Sequence, residues 1–257
     1  MKVETYLPTA QLRPFVKSYT VIESQAEITN RVLPGTSFAL AFRLKGEISY
    51  INGTAKIALP PVVFTGLKKT YRLIHYGSNA AAIIVLFTQT GGPAFLPGPP
   101  QELFEQSISL DSMIRPSEIS LVEHRLAESL GLRDKIRVIE SFLLSKCRHY
   151  ANDSLVSAAI SKIRCVNGHI RIRELANSLY ISQDAFEKRF RKMTGASPKQ
   201  FAQIIKMNAV IRQNSLADDL PDIAFSNGFY DQPHFNKDFK NFTGQAPTDF
   251  FRSASFW

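Results

Sequence analysis

One helical unit occurs twice near the carboxy terminus, and this repetition restricts the fold more than any other feature of the chain. The first copy, RELANSLYISQDAFEKRFRKMTGASPKQF, runs from Arg173 to Phe201, and the second, PDIAFSNGFYDQPHFNKDFKNFTGQAPTDF, from Pro221 to Phe250. Phe186, Phe190, Thr194, Gly195, Pro198 and Phe201 recur 49 positions later as Phe235, Phe239, Thr243, Gly244, Pro247 and Phe250. Before the central turn the offset is 48, pairing Leu175-Ala176 with Ile223-Ala224, so the second copy has one more residue in its turn. The repeat predicts two helix-turn-helix units in tandem.

In the first copy, Ile172 to Ser178 is predicted as a scaffold helix with Leu175 and Ala176 facing inward, the small alanine letting a second helix approach closely. Tyr180 and Ile181 form the turn, and Ser182 caps the next helix. From Gln183 to Met193, the residues Phe186, Phe190 and Met193 share one face at helical spacing. Gln183, Asp184, Glu187, Lys188 and Arg191 are left outside. The first four lie near the helix start, where a helix in a major groove meets base edges. Lys188 can donate to guanine, and Glu187 can accept from cytosine N4. Ser182, Arg191 and Lys192 are candidate phosphate contacts. Taken alone, this helix also reads as a basic amphipathic helix with a solvated face.

The second copy places Asp222, Ile223 and Ala224 in its scaffold helix and Asn227-Gly228-Phe229 in its turn. Asp231 takes the capping position of Ser182, and Pro233 falls in the first helical turn, where a missing N–H costs little. Phe235, Phe239 and Phe242 face inward, leaving Gln232, Asn236, Lys237 and Lys240 outside. Gln232 or Asn236 can bind adenine through two hydrogen bonds. His234 is read as a structural or phosphate-contacting residue, with Lys240 beside it. Between the copies, SPKQFAQIIKMNAVIRQNS is one helix that would hold the two recognition helices about 34 Å apart, one turn of DNA. Lys199, Lys206 and Arg212 on it add phosphate contacts or are simply solvated.

The front of the chain has a different pattern. LRPFVKSYTVIES, FALAFRLKGEISYI, TAKIALPPVVFTGL, TYRLIHYG and AAAIIVLF are short segments rich in Val, Ile, Phe and Tyr and broken by turn residues. Leu12 to Tyr19 is alternatively a short helix, since Leu12, Phe15, Val16 and Tyr19 lie on one helical face. Asn52-Gly53 is the strongest hairpin signal. With no helix between these strands, an antiparallel sandwich or small barrel is expected over 1–110. Thr88 to Leu103 is expected to be a structured loop without regular structure. SEISLVEHRLAESL and RDKIRVIESFLLSKCRHY then form amphipathic helices, with Ile119, Val122, Leu126 and Leu130 on one face and Ile136, Ile139, Leu143 and Cys147 on the other, broken at Gly131. These bridging helices, residues 111–152, can pack on the sheet, form a dimer surface, or both. A further helix begins at Asp153 or Ser154 and ends at Asn167-Gly168. The fold class is therefore α+β: a β-rich front domain (1–110), bridging helices, and an all-α domain over 153–257.

The formal charge of +9 suits a polyanionic partner, although it also serves solubility. Cys147 and Cys165 match no CxxC or disulfide-scaffold pattern, which favours a reducing compartment. No stretch approaches the roughly 18 to 20 apolar residues of a membrane span, and no signal peptide is read at the amino terminus. A cytoplasmic protein without a membrane partner is expected. His75, His124, His149, His169 and His234 are isolated, and the chain contains no Walker A, GxSxG or GxGxxG sequence. No catalytic residue, metal ligand or cofactor is assigned, and the chain is not read as an enzyme.

The frame of the second copy, DIAFSNGFYDQPHFNKDFKNFTGQAPTDF, and that of the first resemble the DNA-binding domain of the AraC/XylS family of bacterial transcription regulators across 153–257. The resemblance implies sequence-specific binding of double-stranded promoter DNA and, in most members, activation, with RNA polymerase as a further partner. By position it carries base reading onto Asp184, Glu187 and Lys188, and onto Gln232, Pro233, Asn236 and Lys237; Gln183 joins them from the helix geometry. Members often have bulky or basic side chains where Asp184 and Glu187 stand, and Pro233 has no N–H to donate. NRVLPGTSFALAFRLKG and VLFTQTGGPAFLPGPPQELFEQSISL resemble the β-rich sensing domain of one branch of the family. That domain commonly binds a small-molecule effector or mediates homodimerisation. Tyr19, Phe38, Phe42, Tyr50 and Tyr71 could line such a pocket or simply pack a core. The competing reading of the whole chain is a protein-interaction or non-specific DNA-binding module without regulatory activity.

Overall fold

The computed structural model describes residues 1–148, 153–213 and 231–252. Two compact units divide the chain. The first comprises Met1–Asn30, Ser37–Leu67 and Leu73–Asn152; the second comprises Asp153 onward together with Arg31–Thr36 and Lys68–Arg72, two short segments from the front of the sequence.

Ten strands are found among the described residues: β1 (Lys2–Tyr6), β2 (Val16–Ser24), β3 (Ile28–Val32), β4 (Ala39–Lys45), β5 (Ile48–Asn52), β6 (Ala55–Ala58), β7 (Val62–Thr65), β8 (Arg72–Tyr76), β9 (Ala80–Phe87) and β10 (Ser107–Ser109). They form a six-stranded sheet in the order β1-β2-β9-β4-β7-β10 and a four-stranded sheet in the order β3-β8-β5-β6. The larger sheet is antiparallel at every pairing, as are β5–β6 and β5–β8. Strand β9 lies inside the larger sheet, with Tyr19 opposite Val85 on one side and Leu40 opposite Val85 on the other. That position explains its unbroken AAAIIVLF sequence, because a strand covered on both faces has no need of polar alternation. The architecture is two sheets rather than a closed barrel.

Phe38, Phe64, Phe87 and Phe95 stack through this unit at centroid distances of 5.9, 5.5 and 5.2 Å. Tyr19, Phe38 and Phe42 are buried in this core, each at 1% exposure or less. Helix α1 (Pro116–Glu128) turns Ile119, Val122 and Leu126 inward; α2 (Leu132–Lys146) does the same with Ile136, Ile139 and Leu143. Phe142 of α2 meets Phe42 of β4 edge to face at 6.1 Å, so this helix packs on the sheet. Buried Glu140 accepts hydrogen bonds from the Thr9 amide at 2.8 Å and the Tyr19 hydroxyl at 3.2 Å. Burial, and then the adjacent Glu140 carboxylate, push the Tyr19 hydroxyl above its ordinary pKa and keep it a donor.

Several expectations change. Of the two readings of Leu12 to Tyr19, the short helix does not hold: Leu12 lies in a turn in which Val16 N donates to Leu12 O, and β2 begins at Val16. The hairpin is present, but its loop residues are Gly53 and Thr54, with Asn52 paired to Ala55 as the last ladder step. Leu130 is fully exposed because α1 stops at Glu128, and Cys147 lies one residue past α2. Thr88 to Leu103 contains two 3-10 turns, Gly92–Phe95 and Pro100–Leu103, and sends Ala94, Phe95, Leu96 and Leu103 into the core. Short 3-10 turns tolerate the prolines that exclude longer helices. Strands β1, β3 and β10 escape a search for apolar alternation because they bury little.

Candidate nucleic-acid interface

The second unit begins with α3 (Ser154–Cys165), capped by Asp153, whose carboxylate accepts from Val156 N at 3.1 Å. Helix α4 (Ile172–Asn177) buries Leu175 and Ala176 almost completely. The chain then turns through exposed Tyr180, at φ 55°, into α5 (Gln183–Thr194), whose cap is Ser182. Phe186 meets Phe190 at 5.6 Å, and Phe190 meets Phe201 of α6 (Pro198–Gln213) at 5.3 Å, both edge to face. Edge-to-face pairs gain from ring quadrupoles beyond the burial of their area. The same frame returns around α7 (Gln232–Thr243) and α8 (Pro247–Arg252), where Phe239 meets Phe235 at 5.5 Å and Phe250 at 5.2 Å. Ile204, Met207 and Val210 of α6 complete this second core with Phe235, Phe239, Phe242 and Phe250. The scaffold helix and turn expected at Asp222 to Phe229 lie outside the described residues.

The recurring Thr-Gly step has a physical basis. The Thr194 hydroxyl lies 3.0 Å from Phe190 O and accepts from Ala196 N at 3.3 Å; Thr243 repeats this at 2.8 Å from Phe239 O and 3.2 Å from Gln245 N. Gly195 and Gly244 follow at φ 77° and 81°, closing α5 and α7 in the left-handed conformation. Both α5 and α7 are thus fixed at their ends by one hydroxyl and one glycine.

The outward faces differ. On α5, Gln183 Nε2 donates to Glu187 Oε1 at 3.0 Å, and Arg191 Nη2 donates to Glu187 Oε2 at 3.2 Å. These two donors, Gln183 first, hold the Glu187 carboxyl below the usual carboxylate range. Both Glu187 oxygens are therefore engaged along their own helix. Asp184, Lys188 and Lys192 are exposed. On α7, Asp231 accepts from His234 N at 2.7 Å, which makes it the cap. Gln232, Pro233, Asn236, Lys237 and Lys240 are exposed. Among the described residues no side chain engages Gln232, Asn236 or Lys237. His234 is turned along its helix, with Nε2 3.7 Å from Asp238 Oδ2, and Gln203 of α6 donates to the same carboxylate at 3.3 Å.

Two features were not anticipated from the sequence. Arg189 pairs with the Asp153 carboxylate, tying α5 to the cap of α3; 36 residues separate the partners, and no local pattern marks them. A hollow of about 580 Å³ opens between the start of α4 and α6, lined by His169, Arg171, Glu174, Lys199 and Lys206 among others. Burial pushes the Lys206 ammonium below its ordinary pKa. Lys199 thus stands on a basic rim at the start of α6. Among the described residues no three His, Cys, Asp or Glu side chains come together as a metal cage, and no helix is long and apolar enough to cross a membrane.

Two capped helices, α5 and α7, pack on the shared α6 and each present a polar face, the arrangement of a helix-turn-helix domain. Residues 175–253 match the model of a helix-turn-helix domain family, and residues 4–109 match a domain of unknown function (DUF6597). The Msm operon regulatory protein of Streptococcus mutans is 28% identical over 122 residues, 44% of this chain and 42% of that protein, so the match spans less than half of the relative's length. Among solved structures, ToxT from Vibrio cholerae superposes with a TM-score of 0.45 at 10% identity, covering 98% of both chains. ToxT from strain SCE256 with unsaturated fatty acid bound gives 0.43 at 12%, covering 91% of this chain and 94% of that one. The matched helix-turn-helix domain over residues 175–253 makes this part of the chain similar to AraC/XylS-family transcriptional regulators.

Proposed function

We propose that the chain regulates transcription by reading promoter DNA in two successive major grooves, one through α5 and the other through α7. The exposed amino-terminal face of α7 carries this reading: Gln232, Asn236 and Lys237 lie side by side on a helix fixed at both ends, and no side chain among the described residues engages them. Gln232 and Asn236 suit adenine, and Lys237 suits guanine. Pro233 contributes shape alone. On α5, Asp184 and Lys188 are the open base readers, while Gln183 and Glu187 reach bases by releasing one another. Ser182, Arg191, Lys192, Lys199, His234 and Lys240 hold phosphates.

In this reading residues 1–110 form the sensing or dimerisation domain, 111–152 the bridging helices and 153–257 the DNA reader. A small-molecule effector or a second copy of the chain acts at the front domain and alters promoter occupancy or contact with RNA polymerase. Because the outward residues of α5 and α7 differ, one protomer reads an asymmetric site.

Selecting bound duplexes from a random pool at physiological salt tests this. An enriched site spanning two successive major grooves is expected, with specificity relaxed at one position by Lys237→Ala and at another by Glu187→Ala. If no sequence is enriched and retention on unrelated DNA disappears as salt rises, the chain is a non-specific module and the base-reading assignments fail.

A further inference from the structure

Arg31–Thr36 and Lys68–Arg72 precede the DNA-reading region by more than 80 residues, yet they belong to its compact unit. Leu33 packs against the core of Ile204, Met207, Val210, Phe235, Phe239, Phe242 and Phe250. Beside it, Asn208 Nδ2 of α6 donates to Pro34 O at 3.0 Å and to Ile204 O at 2.9 Å. Tyr71 lies on the backbone at the end of α7: a Cβ added to Gly244 would stand 2.6 Å from Tyr71 Cε1. Arg31 covers the ring, its Cζ 5.6 Å from the centroid. The glycine that ends α7 therefore has two tasks, a left-handed turn and room for an aromatic ring.

We propose that these two segments complete the second reading unit, and that Leu33 and Tyr71 are positioning residues that hold α7 in place for base contact. Leu33 fixes the helix from its core side and Tyr71 fixes its carboxy-terminal end. The first unit has neither contact among the described residues; α3 and the Arg189–Asp153 pair back it instead. Both segments also join strands of the four-stranded sheet directly, since 31–36 includes the last residues of β3 and 68–72 leads into β8. A signal that displaces those strands is thus transmitted through the backbone of these segments to the core and carboxy-terminal end of α7. Control falls on the second half of the DNA site.

The inference rests on the DNA-reading proposal only for its consequence, so the test has two arms on the full chain. In the first, hydrogen exchange without DNA is compared for wild type, Leu33→Ala, Tyr71→Ala and Tyr71→Phe. Exchange over 232–252 should rise about tenfold or more in both alanine variants. It should stay at the wild-type rate over 183–197, and Tyr71→Phe should restore the wild-type pattern. Unchanged exchange over 232–252, or an equal rise over both helices, overturns the proposal. Asn208→Ala keeps the core filled and gives the same reading if Leu33→Ala does not fold. In the second arm, the selected duplex is footprinted: the alanine variants should lose protection of the half-site read by α7 and keep that of α5. Protection lost equally from both halves overturns selective positioning. If the wild type selects no duplex, DNA reading fails, while the exchange result still decides whether the segments hold α7.

Discussion

The two reading units share a frame and differ in what surrounds it. Around α5, Phe186, Phe190 and Phe201 pack within a continuous stretch of helices, and the exposed face is laced by Gln183, Glu187 and Arg191. Around α7, Phe235, Phe239 and Phe250 repeat the packing, but Leu33 and Tyr71 come from the front of the chain, and no side chain among the described residues engages Gln232, Asn236 or Lys237 on the exposed face. Repetition of core residues therefore preserves a shape without preserving its supports. A duplicated unit can keep its phenylalanines and its Thr-Gly end while its partners and its outward chemistry diverge.

Core truncation should break the comparison most severely. Phe190→Ala and Phe239→Ala each remove a fully buried ring and should each lower stability by about 3–5 kcal/mol in urea unfolding. Equal losses would mean that the differing surroundings leave the cores equivalent; a much smaller loss for Phe239→Ala would mean that the second core is loosely held. Next in size is base reading. Lys237→Ala should weaken the selected site roughly tenfold and relax one position, and Lys188→Ala should do so at a different position, both read by titration of single-base variants. A smaller effect is expected at the cap of α3. Asp153→Ala removes the bond to Val156 N and the partner of Arg189, should cost about 1 kcal/mol in unfolding, and should weaken only the half-site read by α5.

The smallest expected effect sharpens the contrast between faces. Glu187→Gln removes a negative charge near the phosphates and should raise affinity for unrelated DNA a few-fold, with little change on the α7 half-site. Because the folded-state pKa of Glu187 is depressed, its pairing contributes at neutral pH and is lost only as pH falls through that lowered value. A carboxyl titration followed by NMR should show this midpoint below that of an ordinary glutamate.

Much of the frame was legible because it obeys short-range rules. Helical spacing marked Phe186, Phe190 and Met193, and side-chain chemistry marked Ser182, Asp231 and Asp153 as caps. The outward positions of Gln232, Asn236 and Lys237 followed from the same periodicity. What escaped were relationships between distant residues: Arg189 with Asp153, Leu33 with the second core, and Tyr71 over Gly244. The bond that occupies Glu187 was within reach of sequence spacing, since Gln183 and Arg191 each stand four residues away. In the front unit, Leu12 to Tyr19 left two readings open because its apolar spacing suits a helical turn as well as a turn followed by a strand, and the strand reading holds from Val16. The Pro/Gly-rich stretch after β9 hid core residues because turn chemistry describes the backbone path and says little about which side chains it buries.

The bond between Asn208 and Pro34 spans 174 residues. During synthesis the amino-terminal partner is made long before the helix that receives it, and the phenylalanines of α7 follow later still. The second core is therefore completed by a non-local contact, whereas the first draws on a single stretch beginning at α3. Contacts of such long range slow folding because the loop must close before they contribute. In chain growth, the helices around α5 leave synthesis with all their partners made, and those around α7 complete a contact whose first half was made at residue 34.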